Sequence, residues 1–364
     1  MSELSPIDQL EGLPHPRETS ELIGHQEAEN LFLESYNGGR FHHAWLISGV
    51  RGVGKATFAY KAARFLLSSA ASGGGLFGPP DTLDADPQDP ALNLILSGAH
   101  PGLVTLKRQY DEKGKKYFKN IRVDDVRKLG NFFGMTASDG GWRVVIVDAA
   151  DDMNVNAANA LLKMLEEPPQ KTVFLLLSHS PAALLPTIKS RCRRLSLNPL
   201  KADDNHKVIR THFSEIEAPS VDVLSYLSEG SPGKAAALYA AGGLDAFLGV
   251  LELFDSFPEY DPDRLHGLAD LAAKKDQEPL YRALCELIPW WLSRFVRHAS
   301  AGIDEANLIE GEAAIMRRLQ QQRPLSFWIK VWEKVNYLIE RSDTVNLDRK
   351  QVILGIFLTP TLKI

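Results

Sequence analysis

This chain of 364 residues has little cysteine, no excess of positive charge and no long apolar run. Only Cys192 and Cys285 occur, too few for a disulfide framework or a four-cysteine zinc site, so we predict a reducing compartment and no structural zinc. The formal net charge of -5 excludes a broadly basic surface that would coat DNA unaided. The apolar run at residues 173–177 is far shorter than the roughly 20 residues that cross a bilayer. Because residues 1–12 are acidic and lack the features of a secretion signal, we predict a cytoplasmic protein with no membrane partner.

The composition is typical of a folded protein, with 44% hydrophobic and 24% charged residues. These fractions exclude the disordered and fibrous classes. The length exceeds that of one ordinary domain, so we expect two or three compact units.

Strand and helix patterns alternate as far as about residue 197. The runs Ala44–Ile47, Val144–Val147 and Val173–Leu177 are apolar throughout, as in parallel strands that are covered on both faces. A helix is predicted from about residue 156 to 167, where Pro168 ends it. The alternation predicts an α/β fold with a doubly wound parallel sheet.

Four further predictions concern local structure and domains. Residues 103–106 and 117–121 flank a charged turn and predict a β-hairpin. Residues 68–90 are rich in Ser, Gly, Pro and Asp and predict a mobile surface loop. Because the strand signal fades after Pro199, we predict an α/β domain over 1–198, a small helical lid over 199–245 and a larger helical domain over 246–364. In the last domain one helical face carries four large apolar residues that we interpret as core: Trp328, Trp332, Val335 and Leu338.

Residues 49–56 follow a predicted strand and open a predicted helix, and they match the P-loop pattern G-x-x-x-x-G-K. In such a loop the glycines Gly49, Gly52 and Gly54 let backbone N–H groups converge on phosphate oxygens, while Lys55 reaches the terminal phosphates. The next position normally supplies a hydroxyl ligand to Mg²⁺, but this chain has Ala56. Thr57 follows, and one helical step rotates its side chain by about 100° away from that position.

A second element completes the predicted nucleotide site. Residues 144–147 form an apolar strand that ends in Asp148, as in a Walker B element whose aspartate holds the metal ion. Ala149 stands where an ATPase usually has a glutamate that orients water, and the loss of such a base costs about 10²- to 10⁴-fold in rate. Asp151 and Asp152 follow, and we interpret them as a helix-capping pair. ATP and Mg²⁺ binding is therefore predicted to be weak at best.

Two sequence blocks carry a family resemblance. Residues 156–169 (Asn-Ala-Ala-Asn-Ala-Leu-Leu-Lys-Met-Leu-Glu-Glu-Pro-Pro) and 188–192 (Ile-Lys-Ser-Arg-Cys) resemble the shared signature of bacterial clamp-loader gamma and delta prime subunits, which are AAA+ proteins. The resemblance extends over most of residues 15–245 and includes residues 22–25, 42–47 and 230–235.

The resemblance implies several site residues. The segments around the P-loop would border the nucleotide base, Lys234 would lie at a sensor position, and Ser178 or His179 would match the first sensor. The arginine of the Ser-Arg-Cys block, here Arg191, would project into the ATP site of a neighbouring subunit, where a guanidinium is worth about 10³- to 10⁵-fold in related enzymes. Without the resemblance, Arg191 beside Arg193 and Arg194 would be interpreted as a surface basic cluster.

The chain departs from the family in two respects. Many relatives carry a four-cysteine zinc module after the P-loop helix, and this chain has no cysteines there. Ala56 and Ala149 degrade the P-loop site, which indicates the delta prime branch rather than the gamma motor subunits.

The resemblance implies a chain that helps to load the sliding clamp on primed DNA, in a complex with delta and gamma or tau subunits, with residues 246–364 as an assembling collar. Two alternatives stay open. One is an autonomous gamma-like ATPase in which Thr57 and Asp151 rescue the site. The other is a pure assembly scaffold in which Arg191 has no role.

Overall fold

A computed structural model of the chain describes residues 7–10, 12–69, 78–134, 141–301, 309–345 and 347–362. Part of the predicted loop, residues 70–77, lies outside the described residues, as do residues 1–6 of the acidic N-terminus. The chain divides into two compact units, one of residues 1–212 with 229–234 and one of residues 213–228 with 235–364.

The first unit contains a five-stranded sheet with the order β2-β5-β6-β1-β7, in which every neighbouring pair is parallel. In the described part of the chain the strands are, in order, β1 (Ala44–Ser48), β2 (Leu103–Leu106), β3 (Tyr110–Asp111), β4 (Lys116–Tyr117), β5 (Arg143–Val147), β6 (Thr172–Ser178) and β7 (Arg193–Ser196). The helices of this unit are α1 (Gln26–Asn37), α2 (Lys55–Leu67), α3 (Pro90–Leu96), α4 (Val123–Arg127), α5 (Leu129–Gly134), α6 (Val155–Glu166), α7 (Pro186–Lys189) and α8 (Ala202–His212).

Helices cover both faces of the sheet. Strand residues such as Trp45 and Leu175 pack against α1 and α2, while their neighbours Leu46 and Leu176 pack against α4 and α6. Because side chains alternate along a strand, this arrangement buries all of β6 and explains its unbroken apolar sequence. The predicted fold class, a parallel α/β core followed by helical regions, is confirmed.

The predicted hairpin of residues 103–106 and 117–121 is wrong. Residues 103–106 form β2, which pairs in parallel with β5 at the sheet edge. A shorter hairpin joins β3 to β4 across the charged turn. The local sequence around residues 103–106 is typical of a hairpin strand. The strand that accepts and donates their backbone hydrogen bonds nevertheless lies about 40 residues further along the chain.

The second unit is helical. Its elements, of which α10 begins in the first unit, are α9 (Ala218–Leu227), α10 (Pro232–Ala240), α11 (Gly243–Ser256), α12 (Pro262–Ala273), α13 (Glu278–Ala301), α14 (Glu312–Gln322), α15 (Leu325–Val345) and α16 (Arg349–Leu358). Trp291 and Trp328 are fully buried, and both contact the ring of Phe295. On the face predicted from sequence, Trp328 and Val335 lie in the core, so this stripe serves packing rather than a ligand site.

The division into two units does not coincide with the three predicted domains, because the predicted lid over 199–245 contributes residues to both units. Either unit can contain more than one domain, so the boundaries at residues 198 and 245 stay a prediction. Among the described residues no single helix is long and apolar enough to cross a membrane; α10 and α11 meet that test only as a pair bent by 79°.

Candidate nucleotide site and exposed arginine

The P-loop lies at the carboxyl end of β1 and opens α2, as the sequence predicts. Gly52 and Gly54 have φ angles of 80° and 112°, a backbone region that residues with a Cβ atom rarely adopt. Gly49 faces the neighbouring strand end, since a Cβ atom there would lie 2.5 Å from the carbonyl oxygen of Leu197. Glycine is thus required at each of these positions for a geometric reason.

Lys55 is the buried cation of the site. Its Nζ donates hydrogen bonds of 2.7 Å to the carbonyl oxygens of Gly49 and Val50. Burial lowers the pKa of this ammonium from 10.5 to about 8, although the carboxylates of Asp148 and Asp151 act in the opposite direction. The lysine therefore stays mainly cationic at neutral pH and lies against its own loop.

Asp148 follows β5 at the same edge of the sheet, because the carboxyl ends of parallel strands share one edge. Burial raises the pKa of this carboxyl from 3.8 to about 6, and the charge of Asp8 adds to the shift while Lys55 opposes it. A carboxylate and an ammonium thus face one cavity, as phosphate and metal binding require.

The cavity has a volume of about 510 Å³. Its walls come from the N-terminal segment (residues 7–10 and 13–23), from the P-loop and from the end of α8. Asp8 fixes the N-terminal segment there, since its carboxylate accepts a hydrogen bond from Lys107 Nζ at 2.5 Å and lies 3.1 Å from the ring of His15. No sequence motif marks Asp8 as a residue of this site.

Most predicted nucleotide-site residues meet at this cavity. Those that line it are Gly52, Gly54, Lys55, Thr57 and Asp148. Ala56 and Ala149 line it as well, so methyl groups stand where a metal-binding hydroxyl and a water-orienting carboxylate are usual.

Lys234 is not among the lining residues. Its ammonium lies 3.8 Å from the carboxylate of Glu229. Gly233 lines the cavity instead, and its backbone N–H donates to the carbonyl oxygen of Gly52 at 2.9 Å. Ser231 adds a hydrogen bond of 2.7 Å from its hydroxyl to the carbonyl oxygen of Arg51. Residues 230–234 therefore contact the P-loop mainly through backbone and a hydroxyl group.

The interpretation of Asp151 and Asp152 as a helix-capping pair is wrong. Asp151 accepts hydrogen bonds from the Ser178 hydroxyl at 2.9 Å and from the backbone N–H groups of His179 and Ser180 at 2.7 and 3.1 Å. Asp152 pairs with Arg108 at 3.1 Å. The cap of α6 is supplied by another residue, Asn154. Asp151 thus links the end of β6 to the segment after β5.

The two candidates for the first sensor differ in their surroundings. Ser178 is buried and donates to Asp151, whereas His179 lines the cavity. Desolvation and the nearby charge of Lys55 lower the pKa of the His179 imidazole to about 4. His179 is therefore neutral at physiological pH and can donate or accept one hydrogen bond at the cavity.

Arg191 lies at the amino ends of the parallel strands, whereas the P-loop lies at their carboxyl ends. It precedes β7, which runs parallel to β1 with Arg193 aligned to Trp45 near the start of that strand. At about 3.3 Å per residue, the start of the P-loop is roughly 20 Å further along the sheet. Arg191 and the cavity of the same chain are thus separated by the length of the strands.

The basic cluster around Arg191 separates into different environments. Arg193 donates to the hydroxyl of Ser35 at 2.9 Å and lies over the ring of Trp45. Arg194 is exposed. Arg191 is 35% exposed, and its guanidinium is held by Glu166 at 2.6 Å. The three arginines therefore do not form one continuous basic surface.

The parallel sheet, the glycine loop with Lys55 and the aspartate at the end of β5 form the arrangement that is typical of P-loop proteins. Among the described residues no group of three or more His, Cys, Asp and Glu side chains could hold a metal ion by itself.

Comparisons with known proteins identify relatives of the chain. A family model described as DNA polymerase III, delta subunit, matches residues 24–201. The DNA polymerase III subunit delta' of Pseudomonas aeruginosa is 39% identical over 212 residues, which are 58% of this chain and 60% of that subunit. The corresponding Escherichia coli subunit is 35% identical over 254 residues, covering 65% of this chain and 70% of that subunit.

More distant matches include the tau subunit of E. coli DNA polymerase III, 26% identical over 72% of this chain and 41% of that subunit. A solved gamma subunit-related protein of Thermotoga maritima covers 91% of this chain and 98% of its own, at 19% identity and a TM-score of 0.41. On the E. coli match, the chain belongs to the family of DNA polymerase III delta' subunits.

Proposed function

We propose that the chain is the delta prime subunit of a clamp loader and that it supplies Arg191 to the ATP site of a neighbouring subunit. Its partners would be delta and gamma or tau subunits, and through the complex it would act on the sliding clamp and primed DNA in the cytoplasm. The observation that carries the proposal is the separation of Arg191 from its own P-loop by the length of the sheet.

The position of Arg191 supports a role in trans. An arginine side chain cannot span roughly 20 Å, so Arg191 cannot reach a phosphate in the cavity of its own chain. Its side chain is partly exposed, and it precedes β7, which is the outermost strand of the sheet. A guanidinium is permanently charged, and its planar fork matches the oxygens of a transferring phosphoryl group.

The residues of the chain's own nucleotide site also support a role of Arg191 at a neighbouring subunit. Lys55 and Asp148 could bind the phosphates and the metal ion of a nucleotide, with Gly52 and Gly54 around the phosphates. Ala56 adds no hydroxyl ligand, and Ala149 adds no water-orienting acid. We infer that this site binds ATP and Mg²⁺ weakly and hydrolyses ATP poorly, so that catalysis takes place at neighbouring subunits.

The test is ATP hydrolysis by a clamp loader reconstituted with Arg191→Ala or Arg191→Lys. Both variants should assemble normally, because exposed arginines contribute little to stability. We expect Arg191→Ala to lower DNA-stimulated phosphate release about 10²-fold or more, and Arg191→Lys to stay clearly impaired because lysine lacks the fork.

Arg194→Ala is the matched control, since it removes a neighbouring exposed charge and should leave the rate unchanged. Wild-type rates in both Arg191 variants would contradict the proposed role in trans. A pure assembly scaffold would then be the better description of the chain.

A further inference from the structure

The guanidinium of Arg191 is already oriented within its own chain. Its Nη2 lies 2.6 Å from a carboxylate oxygen of Glu166. Its Nη1 donates to the carbonyl oxygen of Thr187 at 3.0 Å and to the hydroxyl of Ser190 at 3.4 Å. Because a guanidinium has five N–H donors in a rigid plane, these contacts fix the plane and leave donors for a phosphate oxygen.

The negative charge of Glu166 does not stabilise the helix that carries it. It is the last residue of α6, and a negative charge at a helix C-terminus is unfavourable because it faces the negative end of the helix dipole. The helix packs through Leu161 and Leu165, which are buried, whereas the Glu166 side chain is 49% exposed. The positive charge of Arg191 offsets that unfavourable placement.

The pair also adds little to stability, since ion pairs between exposed side chains are worth little. What the contact restricts is the freedom of a long side chain. Arginine loses much rotamer entropy when it is held in one geometry, and Glu166 restricts it before any nucleotide is met. A group that is already oriented costs less to engage in a transition state.

We propose that Glu166 is a positioning residue for Arg191. Its carboxylate holds the guanidinium in the orientation that meets the terminal phosphate of the neighbour's ATP, and the Thr187 carbonyl supports the same orientation from the other side. This inference rests on the proposed function, because it concerns the use of Arg191 in trans.

The experiment is a double-mutant cycle in the reconstituted clamp loader. Glu166→Gln keeps the shape of the side chain and removes its charge. We expect it to lower kcat for DNA-stimulated ATP hydrolysis about three- to thirty-fold, with KM for ATP nearly unchanged. In complexes that carry Arg191→Ala, the same Glu166→Gln change should have no further effect, because no guanidinium remains to be positioned.

Glu167→Gln is the matched control, since it removes the charge of the adjacent exposed acid and should leave kcat unchanged. Size-exclusion chromatography should give the same complex for every variant. A purely structural role of Glu166 would lower the rate equally with and without Arg191, and that result would overturn the inference. A rate increase in Glu166→Gln would overturn it too, because Glu166 would then be holding Arg191 back.

The cycle separates this inference from the proposed function. If Arg191→Ala impairs hydrolysis but Glu166→Gln behaves as the wild type, only the positioning role of Glu166 fails. If Arg191→Ala itself is without effect, the role in trans fails and the positioning role fails with it.

Discussion

Lys55 and Asp148 are held in environments that oppose their charges. Burial lowers the pKa of the Lys55 ammonium to about 8 and raises the pKa of the Asp148 carboxyl to about 6. Between these values both groups are charged, although each pKa is shifted against the charged form. Each group therefore costs the folded state free energy near neutral pH, as is common for residues that are kept for a ligand site.

The first prediction follows from the raised pKa of Asp148. In the folded chain this carboxyl ionises near pH 6, whereas in the unfolded chain it ionises near 3.8, so ionisation favours unfolding as the pH rises through this window. We expect Asp148→Asn to raise the free energy of unfolding at pH 7.5 by at most about 3 kcal/mol, and by less where solvent in the cavity screens the charge. At pH 5 the gain should be smaller, because the folded wild type is then largely protonated.

Urea unfolding followed by circular dichroism at the two pH values measures this difference. Asp124→Asn is the control, since the side chain of Asp124 is 72% exposed and should give no comparable gain. A gain from Asp148→Asn that is the same at pH 5 and pH 7.5 would show that burial of the charge is not its cause.

At the level of elements, the sequence was sufficient where the signal is local. The strand predicted at residues 173–177 is observed as β6, one residue longer at each end, because burial on both faces leaves an unbroken apolar run. The P-loop can be recognised for a similar reason, since its glycines and Lys55 follow each other in a fixed pattern. Such motifs need no knowledge of distant partners.

The wrong predictions depend on contacts that are distant in sequence. The strand at residues 103–106 can be placed correctly only when β5 is known to be its partner. The hydrogen bonds of Asp151 can be predicted only when the end of β6, 27–29 residues further along the chain, is known to lie beside it. The family resemblance places Lys234 at a sensor position, which stays a prediction, and the group that meets the P-loop is the backbone of Gly233. The position of a motif does not by itself reveal which of two neighbouring residues faces a cavity.

The second prediction concerns the contact between residues 230–234 and the P-loop. A Cβ atom at Gly233 would lie 2.6 Å from the Cα atom of Gly52 and 2.6 Å from a methyl group of Leu10. The backbone has little room to move, because the Gly233 N–H donates to the carbonyl oxygen of Gly52. We expect Gly233→Ala to lower the free energy of unfolding by about 1–3 kcal/mol, as measured by urea unfolding.

Gly249→Ala provides the matched control within α11. A Cβ atom there would meet nothing within 4 Å, so alanine should stabilise the helix by about 0.5–1 kcal/mol. Equal effects of the two substitutions would contradict the close packing of residues 230–234 on the P-loop.

At the scale of the whole molecule, the parallel sheet separates the candidate nucleotide cavity from Arg191. The cavity with Lys55 and Asp148 lies at the carboxyl ends of the strands, and Arg191 lies at their amino ends. On the proposed function, one copy of this fold presents an arginine to the neighbour on one side and a nucleotide cavity to the neighbour on the other. Such head-to-tail contacts are heterologous, which is the arrangement that builds rings.

The last prediction is that the isolated chain hydrolyses ATP at no more than a trace rate. Lys55 and Asp148 line the cavity, but Ala56 removes a metal ligand and Ala149 removes the acid that orients water. The rescue of the site by Asp151 is disfavoured by its geometry, because its carboxylate accepts three hydrogen bonds from residues 178–180. A missing general base alone lowers a rate about 10²- to 10⁴-fold, so the wild type should not differ from Lys55→Ala or Asp151→Asn in steady-state phosphate release. Robust turnover that Lys55→Ala abolishes would identify the chain as an autonomous ATPase, and a loss of that turnover in Asp151→Asn would identify Asp151 as the acid that replaces the missing glutamate.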